Sequence, residues 1–190
     1  ISYSKSVGVD GINGEKFLYS SNELKIIRQK IDGKCYKFSN YKENLIVKRH
    51  NHTRQISIPT QRDKLVLQGL LKVLQKDIPI CTTTAINKIV DIKDNRNHYD
   101  SFIKIDIENF FPSINHGKLL SLIKGKIGDE VYNLVKLAIT QPTICIDTPK
   151  KERNASLNYI GIPQGLPISS FLSDIFLETI DQKYKKNSKI

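Results

Sequence analysis

The segment from Ser101 to Ile114, SFIKIDIENFFPSI, carries an apolar run that ends on a single acid, Asp106. Burying an ionised carboxylate is costly unless it is hydrogen-bonded or binds a cation. An acid at the carboxyl end of a buried strand therefore fits a Mg²⁺ ligand in a phosphoryl-transfer site, because Mg²⁺ takes oxygen ligands. Asp also favours the N-cap of a short turn such as the following IENFF. The residue alone leaves both interpretations open.

A second stretch, Tyr159 to Leu177, places the tight bend Pro163, Gln164 and Gly165 before an apolar helix. Polar groups at such a bend, next to a helix N-terminus, suit contact with a phosphate or a base. The alternative is ordinary turn chemistry, since Pro and Gly are turn residues in any fold.

A third candidate is the tip of a predicted β-hairpin, in which NLIVKR and TRQISIP flank the turn HNH. Lys48, Arg49 and Arg54 crowd this tip, and His50 and His52 lie between them. Cations at a hairpin tip can reach over a cleft and hold a triphosphate. A charged loop in water is the alternative.

The elements that must position these residues are mostly amphipathic helices. Apolar spacing predicts helices over SNELKIIRQKIDG, RDKLVLQGLLKVLQKDIP, GKLLSLIKGKI, DEVYNLVKLAIT and PISSFLSDIFLETIDQKYKK. SFIKIDI predicts a central strand, because apolar residues dominate both of its faces. PTICID and NYIGIP predict a further pair of strands. Helices and strands mix without βαβ alternation, which indicates an α+β fold.

Composition narrows the class of protein. The chain has 30 Lys and Arg against 19 Asp and Glu, a net charge of +11, which favours a polyanionic partner such as nucleic acid over a merely basic surface. No apolar run is long enough for a transmembrane helix. Cys35, Cys81 and Cys145 are too few and too widely spaced for a zinc site or a disulfide framework, which indicates thiols in a reducing cytoplasm. The chain contains no Met, not even at its start, so we expect a piece of a longer protein.

Four segments taken together resemble a known family. They are GVDGIN (8–13), KRHNHTRQISIPTQRDKLV (48–66), FIKIDIENFFPSI (102–114) and GIPQGLPISSFLSDIFL (161–177). They stand in the order of the fingers and palm blocks of bacterial reverse transcriptases, the enzymes of group II introns, retrons and phage-defence systems, and the resemblance covers nearly the whole chain. It implies an α+β right-hand polymerase. The implied divisions are fingers over 1–98, palm over 99–116, fingers and palm helices over 117–160, and palm over 161–190.

The resemblance also implies roles for individual residues. Asp106 matches the first catalytic aspartate, which holds Mg²⁺, with the carbonyl of Ile107 as a further ligand. Phe111 matches the steric gate that packs under the sugar and excludes a 2′-hydroxyl. Gln164, in Pro-Gln-Gly, matches a residue that contacts the incoming nucleotide.

Further binding residues follow from the same resemblance. Lys48 and Arg54 match the fingers residues that hold the nucleotide phosphates, while Arg62 and Lys64 would lie near the template or nucleotide pocket, as would Gly165. The implied substrates and partners are dNTPs, an RNA template and a DNA or RNA primer. The implied cofactor is a pair of Mg²⁺ ions, and the implied location is a bacterial cytoplasm.

One family feature is missing from the sequence. Reverse transcriptases carry a Tyr-x-Asp-Asp box on a later palm hairpin, and no such box occurs here. Asp174 and Asp181 fall in the last predicted helix, and Asp147 falls in a loop region. We therefore expect truncation before that hairpin and before the thumb. We also expect the chain alone to be inactive, because one carboxylate cannot hold two metal ions.

Three alternatives to a templated reverse transcriptase remain. An RNA-dependent RNA polymerase is disfavoured by the bulky ring of Phe111. A non-catalytic, maturase-like RNA-binding module and a template-independent defence DNA polymerase would share the same blocks. The segment CTTTAINKIVDIKDNRNHYD lacks the Asn-Ala-x-x-His signature of retrons, which favours another subfamily.

Overall fold

The computed structural model of the chain describes residues 6–18, 22–47, 53–80, 85–98, 100–101, 103–149, 151–153 and 157–185. The helices in these ranges are α1 (Gly14–Leu18), α2 (Glu23–Asp32), α3 (Gln61–Asp77), α4 (Ala85–Asn95), α5 (Phe110–Ser113), α6 (His116–Ile123), α7 (Asp129–Thr140) and α8 (Ser169–Lys185), with a 3-10 turn at Arg96–His98. The strands are β1 (Tyr41–Val47), β2 (Thr53–Ile58) and β3 (Thr143–Ile144).

Local sequence patterns predicted five of the helices close to their observed positions. The five predicted helices correspond to α2, α3, α6, α7 and α8. Helix α3 begins after Thr60, whose side chain accepts a hydrogen bond from the backbone N–H of Asp63, and α2 ends at Gly33. Caps and stops of this kind satisfy the free backbone groups at helix ends, so they can be read from neighbouring residues. Three of the helices in the described ranges were not predicted, namely the short α1 and α5 and the longer α4.

The predicted hairpin is also confirmed, and it forms the main part of a three-stranded sheet of order β2–β1–β3. Its strands pair antiparallel, with Lys42 opposite Ile58 and Val47 opposite Thr53. The tip, residues 48–52, lies outside the described residues, and Lys48, Arg49, His50 and His52 lie there with it.

The prediction of a central strand over SFIKIDI is wrong. The described residues of this run, 101 and 103–107, form no strand, and the side chains of Ile103 and Ile105 are 87% and 82% exposed. An apolar run becomes a buried strand only when neighbouring strands and covering helices meet it, and that condition lies outside the run itself. In the described part of the chain no strand pairs with residues 103–107.

The predicted pairing of PTICID with NYIGIP is wrong as well. Strand β3 covers only Thr143 and Ile144, and it pairs parallel with β1, placing Thr143 opposite Tyr41. Ile160 instead forms an isolated antiparallel bridge with Asn115. A parallel partner a hundred residues away leaves no local signature in the sequence, whereas a hairpin does.

The core lies between helices α3, α6, α7 and α8 and the first residues of β1. Its fully buried members include Leu67, Leu74, Leu119, Ile123, Val135, Ile139, Ile168 and Leu172. Tyr41 is also fully buried, and its hydroxyl donates to the carbonyl of Ala138 in α7 over 2.8 Å. None of the helices in the described ranges combines the length and apolarity that crossing a bilayer would require.

A buried carboxylate joins α3 to the segment before β1. Asp63, fully buried, accepts hydrogen bonds from the Tyr36 hydroxyl (2.7 Å), the Ser39 backbone N–H (3.0 Å) and the Thr60 hydroxyl (2.8 Å). Burial raises the pKa of Asp63, and the three donors act in the opposite direction. Burial and the neighbouring Asp63 raise the pKa of Tyr36, so its phenol stays protonated and donates. The network fixes the start of β1 against the N-terminus of α3.

We expect Asp63→Ala to lower the free energy of unfolding by about 2–4 kcal/mol, because it leaves buried donors without an acceptor. Asp77→Ala is the matched control. This exposed acid lies at the other end of α3, where losing a negative charge is neutral or slightly favourable. Urea denaturation followed by circular dichroism measures both changes. Equal effects of the two substitutions would contradict the role given to the network.

Candidate active site

A cleft of about 1060 Å³ gathers residues from four separated parts of the chain. It contains five of the residues singled out in the sequence, namely Arg54, Asp106, Ile107, Phe111 and Gln164. Other residues at its surface come from the same segments, including Gln55, Ser57, Glu108, Asn109, Pro112, Gln141, Thr143, Asn158, Gly161 and Pro163. A carboxylate, a guanidinium, an aromatic ring and a primary amide therefore face one volume.

The acidic side of the cleft is a turn that leads into α5. Asp106 is exposed, and Glu108 joins it at the cleft surface. Asn109 then takes a left-handed conformation (φ 51°), which Asn tolerates better than most residues, and α5 starts at the next residue. In α5 the Phe111 ring packs edge-on against Phe110, with ring centroids 5.8 Å apart. The turn thus brings a carboxylate and a half-buried aromatic ring into the same cleft within five residues.

Residues 161–164 line the cleft, and together with Gly165 they are called here the bridging segment. On one side, the N–H of Gly161 donates to the carbonyl of Ile114 (2.8 Å) and the N–H of Ile162 donates to the carbonyl of Phe111 (2.9 Å). On the other side, the N–H of Ser57 in β2 donates to the carbonyl of Gln164 over 2.6 Å. The bridging segment therefore links the α5 wall to the β2 wall through main-chain atoms.

Glycines bound the bridging segment at both ends because no other residue fits there. Gly161 (φ 81°) lies so close to Pro112 that an added Cβ would stand 2.6–2.9 Å from three Pro112 backbone atoms. A Cβ added to Gly165 (φ 104°) would stand 2.8 Å from the Ile56 side chain and 2.9 Å from the Ser57 carbonyl oxygen. Gly165 is thus a close-packing position beside the cleft and does not line it.

The cationic side of the cleft is the outer part of β2. Arg54 is exposed and lies opposite Ile46 in the hairpin register. Arg62 and Lys64, the other predicted pocket cations, do not line the cleft. The Arg62 guanidinium instead binds the carboxylate of Glu23 at 2.6 and 2.8 Å, tying α3 to α2. Of the predicted cations that the structure describes, Arg54 therefore lines the cleft, and Arg62 and Lys64 do not.

Sequence reasoning missed a polar wall made by Gln141, Thr143 and Asn158. The Thr143 and Ser57 hydroxyls are 2.6 Å apart, and Asn158 donates to the carbonyls of Ile139 and Gly161 over 3.0 Å each. Thr143 and Asn158 lie in the segments that were expected to pair as strands, and Gln141 directly precedes the first of these segments. Polar residues within otherwise apolar runs were the available signal.

The donors at the acidic side suit a hard cation. Asp106, Glu108 and the Ile107 carbonyl offer only oxygen, and Mg²⁺ is bound through one or two carboxylates plus substrate phosphates and waters. Within the described ranges no cluster of three His, Cys, Asp or Glu residues forms a complete site. The residues present therefore fit part of a Mg²⁺ coordination sphere and do not fit zinc.

Comparisons with known proteins agree on a family. A sequence profile described as "Reverse transcriptase (RNA-dependent DNA polymerase)" matches residues 43–190, most of the chain. The COX1/OXI3 intron 2 protein of Saccharomyces cerevisiae is 24% identical over 97% of this chain and 21% of its own length. Protein YkfC of Escherichia coli is 24% identical over 92% of this chain and 49% of its own length.

The chain thus spans between about a fifth and a half of these relatives. Among solved structures, a chain of a Cas6-RT-Cas1–Cas2 complex aligns over 87% of this chain and 19% of its own, with a TM-score of 0.49 and 16% identity. That score marks only a loose likeness between the two folds.

We expect Gly161→Ala to lower the free energy of unfolding by at least about 2 kcal/mol, since it adds a positive-φ penalty to a backbone clash. Gly69→Ala is the matched control. Gly69 is a mid-helix residue of α3 with no atom within 4 Å of an added Cβ, so Ala should raise stability by about 1 kcal/mol. Thermal and urea denaturation test the contrast. Similar shifts in both variants would refute the close approach.

Proposed function

The chain belongs to the reverse transcriptase (RNA-dependent DNA polymerase) family, and from this premise we propose that it forms the fingers and part of the palm of a polymerase that adds dNTPs to a DNA or RNA primer on an RNA template. The observation that carries the proposal is the single cleft that contains Asp106, Arg54, Phe111 and Gln164. These residues come from three segments that are far apart in the sequence, and the resemblance assigns a part in nucleotide addition to each.

The acidic side of the cleft supplies the metal ligands in this proposal. The Asp106 carboxylate and the Ile107 carbonyl would hold Mg²⁺ there. When bound, a pair of such ions stabilises the attacking and leaving oxygens of the in-line displacement at the α-phosphorus. Arg54 supports the triphosphate from the opposite wall, and Lys48 is proposed to act with it. Positioned cations contribute strongly to phosphoryl transfer, because the reaction depends on placement and charge neutralisation more than on covalent help from the protein.

The remaining two residues select the nucleotide. Phe111 is half-buried in α5, and its ring forms a firm surface under the sugar, where a 2′-hydroxyl would collide with it. Gln164, held through its backbone by Ser57, presents its amide to the incoming nucleotide. A basic chain of net charge +11 further supports a nucleic acid as the bound polymer.

The exposed isoleucines support a larger palm than this chain contains. Ile103, Ile105 and Ile107 alternate along one run, and their side chains stay exposed, as they would on one uncovered face of a strand. We propose that palm strands elsewhere in the complete protein cover this row and bring the further carboxylates that two Mg²⁺ ions need. In this proposal fingers span 1–98, palm spans 99–116 and 161–190, and helices of both span 117–160. The chain alone then extends no primer, and the complete enzyme works in the cytoplasm.

We expect Asp106→Asn in the complete protein to abolish primer extension, because the neutral amide cannot replace a Mg²⁺-binding carboxylate. The assay uses an RNA template, an annealed DNA primer, dNTPs and Mg²⁺. Asp94→Asn, an exposed acid on α4, is the control that should retain the wild-type rate. Near-wild-type extension by Asp106→Asn would refute the mechanism. RNA binding without extension by the wild-type protein would favour a non-catalytic module.

We expect Phe111→Ala in the complete protein to raise ribonucleotide incorporation relative to deoxyribonucleotide incorporation by at least about tenfold, since the ring that meets the 2′-hydroxyl is removed. Phe176→Ala is the control. This half-buried ring packs on Phe110 from α8 but does not line the cleft. Single-nucleotide incorporation of ATP against dATP measures the ratio. An unchanged ratio in Phe111→Ala would show that the ring is not the gate.

A further inference from the structure

The carbonyl oxygen of Gly161 accepts two side-chain hydrogen bonds in addition to the main-chain bonds of the bridging segment. His116, the first residue of α6 and 8% exposed, lies with Nε2 2.7 Å from this oxygen. Asn158 donates its Nδ2 to the same oxygen over 3.0 Å. Since a carbonyl can only accept, the His116 ring must carry its proton on Nε2. The two side chains hold this oxygen from different parts of the fold.

Both holders are themselves anchored in rigid elements. Asn158 donates its backbone N–H to the Thr140 carbonyl (2.8 Å) and its side chain to the Ile139 carbonyl (3.0 Å), at the carboxyl end of α7. His116 is buried at the start of α6, whose N-cap is supplied by its neighbour Asn115. The Asn115 side chain caps the helix, so the imidazole of His116 is not needed for that purpose. Its contact with Gly161 is therefore a separate feature.

The position of Gly161 governs both walls of the cleft. Its neighbour Ile162 is hydrogen-bonded to Phe111, and Gln164, three residues later, is bonded to Ser57 in β2. A shift of the Gly161 carbonyl would therefore move the ring of Phe111 relative to the amide of Gln164. Misplacing groups at a reacting centre by about 1 Å costs on the order of a hundredfold in rate.

We propose that His116 and Asn158 are positioning residues, which set the spacing between Phe111 and Gln164 by holding the Gly161 carbonyl between α6 and α7. This rests on the proposed function, in which that spacing decides how closely the sugar fits over the ring. Neither side chain needs to touch the nucleotide. Discrimination between deoxyribose and ribose thus depends on this carbonyl clamp, formed by Asn158 and Gly161 at the cleft surface and by the buried His116, as well as on the ring of Phe111.

The test removes the two donors while keeping the side-chain volumes. In the complete protein, His116→Phe keeps a ring without the N–H, and Asn158→Leu keeps the shape without the amide. We expect each to lower the ratio of kcat/KM for dATP over ATP by about tenfold, with a smaller loss for dATP itself. His116→Gln restores a donor and should recover most of the ratio. Val135→Ala, a buried α7 substitution away from the cleft, controls for lost stability and should leave the ratio unchanged.

A second measurement does not depend on catalysis. Hydrogen–deuterium exchange of the Gly161 and Ile162 amides, which bond to Ile114 and Phe111, should accelerate in His116→Phe and Asn158→Leu but not in Val135→Ala. Unchanged exchange in both clamp variants overturns the inference, as does faster exchange with an unchanged sugar ratio. If the wild-type complete protein makes no DNA, the proposed function fails, and the exchange rates alone then decide the positioning role.

Discussion

The cleft depends on one short length of main chain, the bridging segment, which is hydrogen-bonded on both of its sides. Phe111 and Ile114 bind it from the α5 wall, and Ser57 binds it from β2. The left-handed glycines 161 and 165 let the backbones approach closely enough for the bonds to form. Hydrogen bonds between backbone atoms thus hold the two walls that carry the side chains of the cleft.

Buried contacts elsewhere in the fold explain how residues far apart in the sequence come to line one cleft. The Asp63 network sets the start of β1 against α3, and β1 in turn holds β2 and β3 in one sheet. The sheet carries Arg54 and Thr143 to the cleft, Phe111 reaches it from α5, and Asn158 is held there by its hydrogen bonds to the carboxyl end of α7. The buried Asp63 network that stabilises the fold therefore also helps to set the geometry of the cleft.

The structural features that could be predicted from the sequence are those that depend on neighbouring residues along the chain. Five of the helices in the described ranges and the β1–β2 hairpin follow from periodicity and turn chemistry, and α2 and α3 agree closely with their predictions. Resemblance selected Arg54, Asp106, Phe111 and Gln164, which the fold gathers in one cleft. The strand prediction over SFIKIDI was wrong because strand formation needs distant partners, and the predicted pairing of PTICID with NYIGIP was wrong because β3 pairs with β1. The bonds of Asn158 and His116 to the Gly161 carbonyl were missed because a hydrogen bond to a remote carbonyl has no sequence signature.

The exposed isoleucines at 103, 105 and 107 also bear on how copies of the chain behave in solution. An uncovered row of apolar side chains attracts a second copy, since contact between two such rows removes apolar surface from water. The net charge of +11 opposes that approach by keeping copies apart. Salt shortens the range of this repulsion to about 10 Å at 0.1 M and leaves the apolar attraction in place. Ionic strength therefore controls the balance between charge repulsion and apolar attraction, and with it the tendency of the chain to associate.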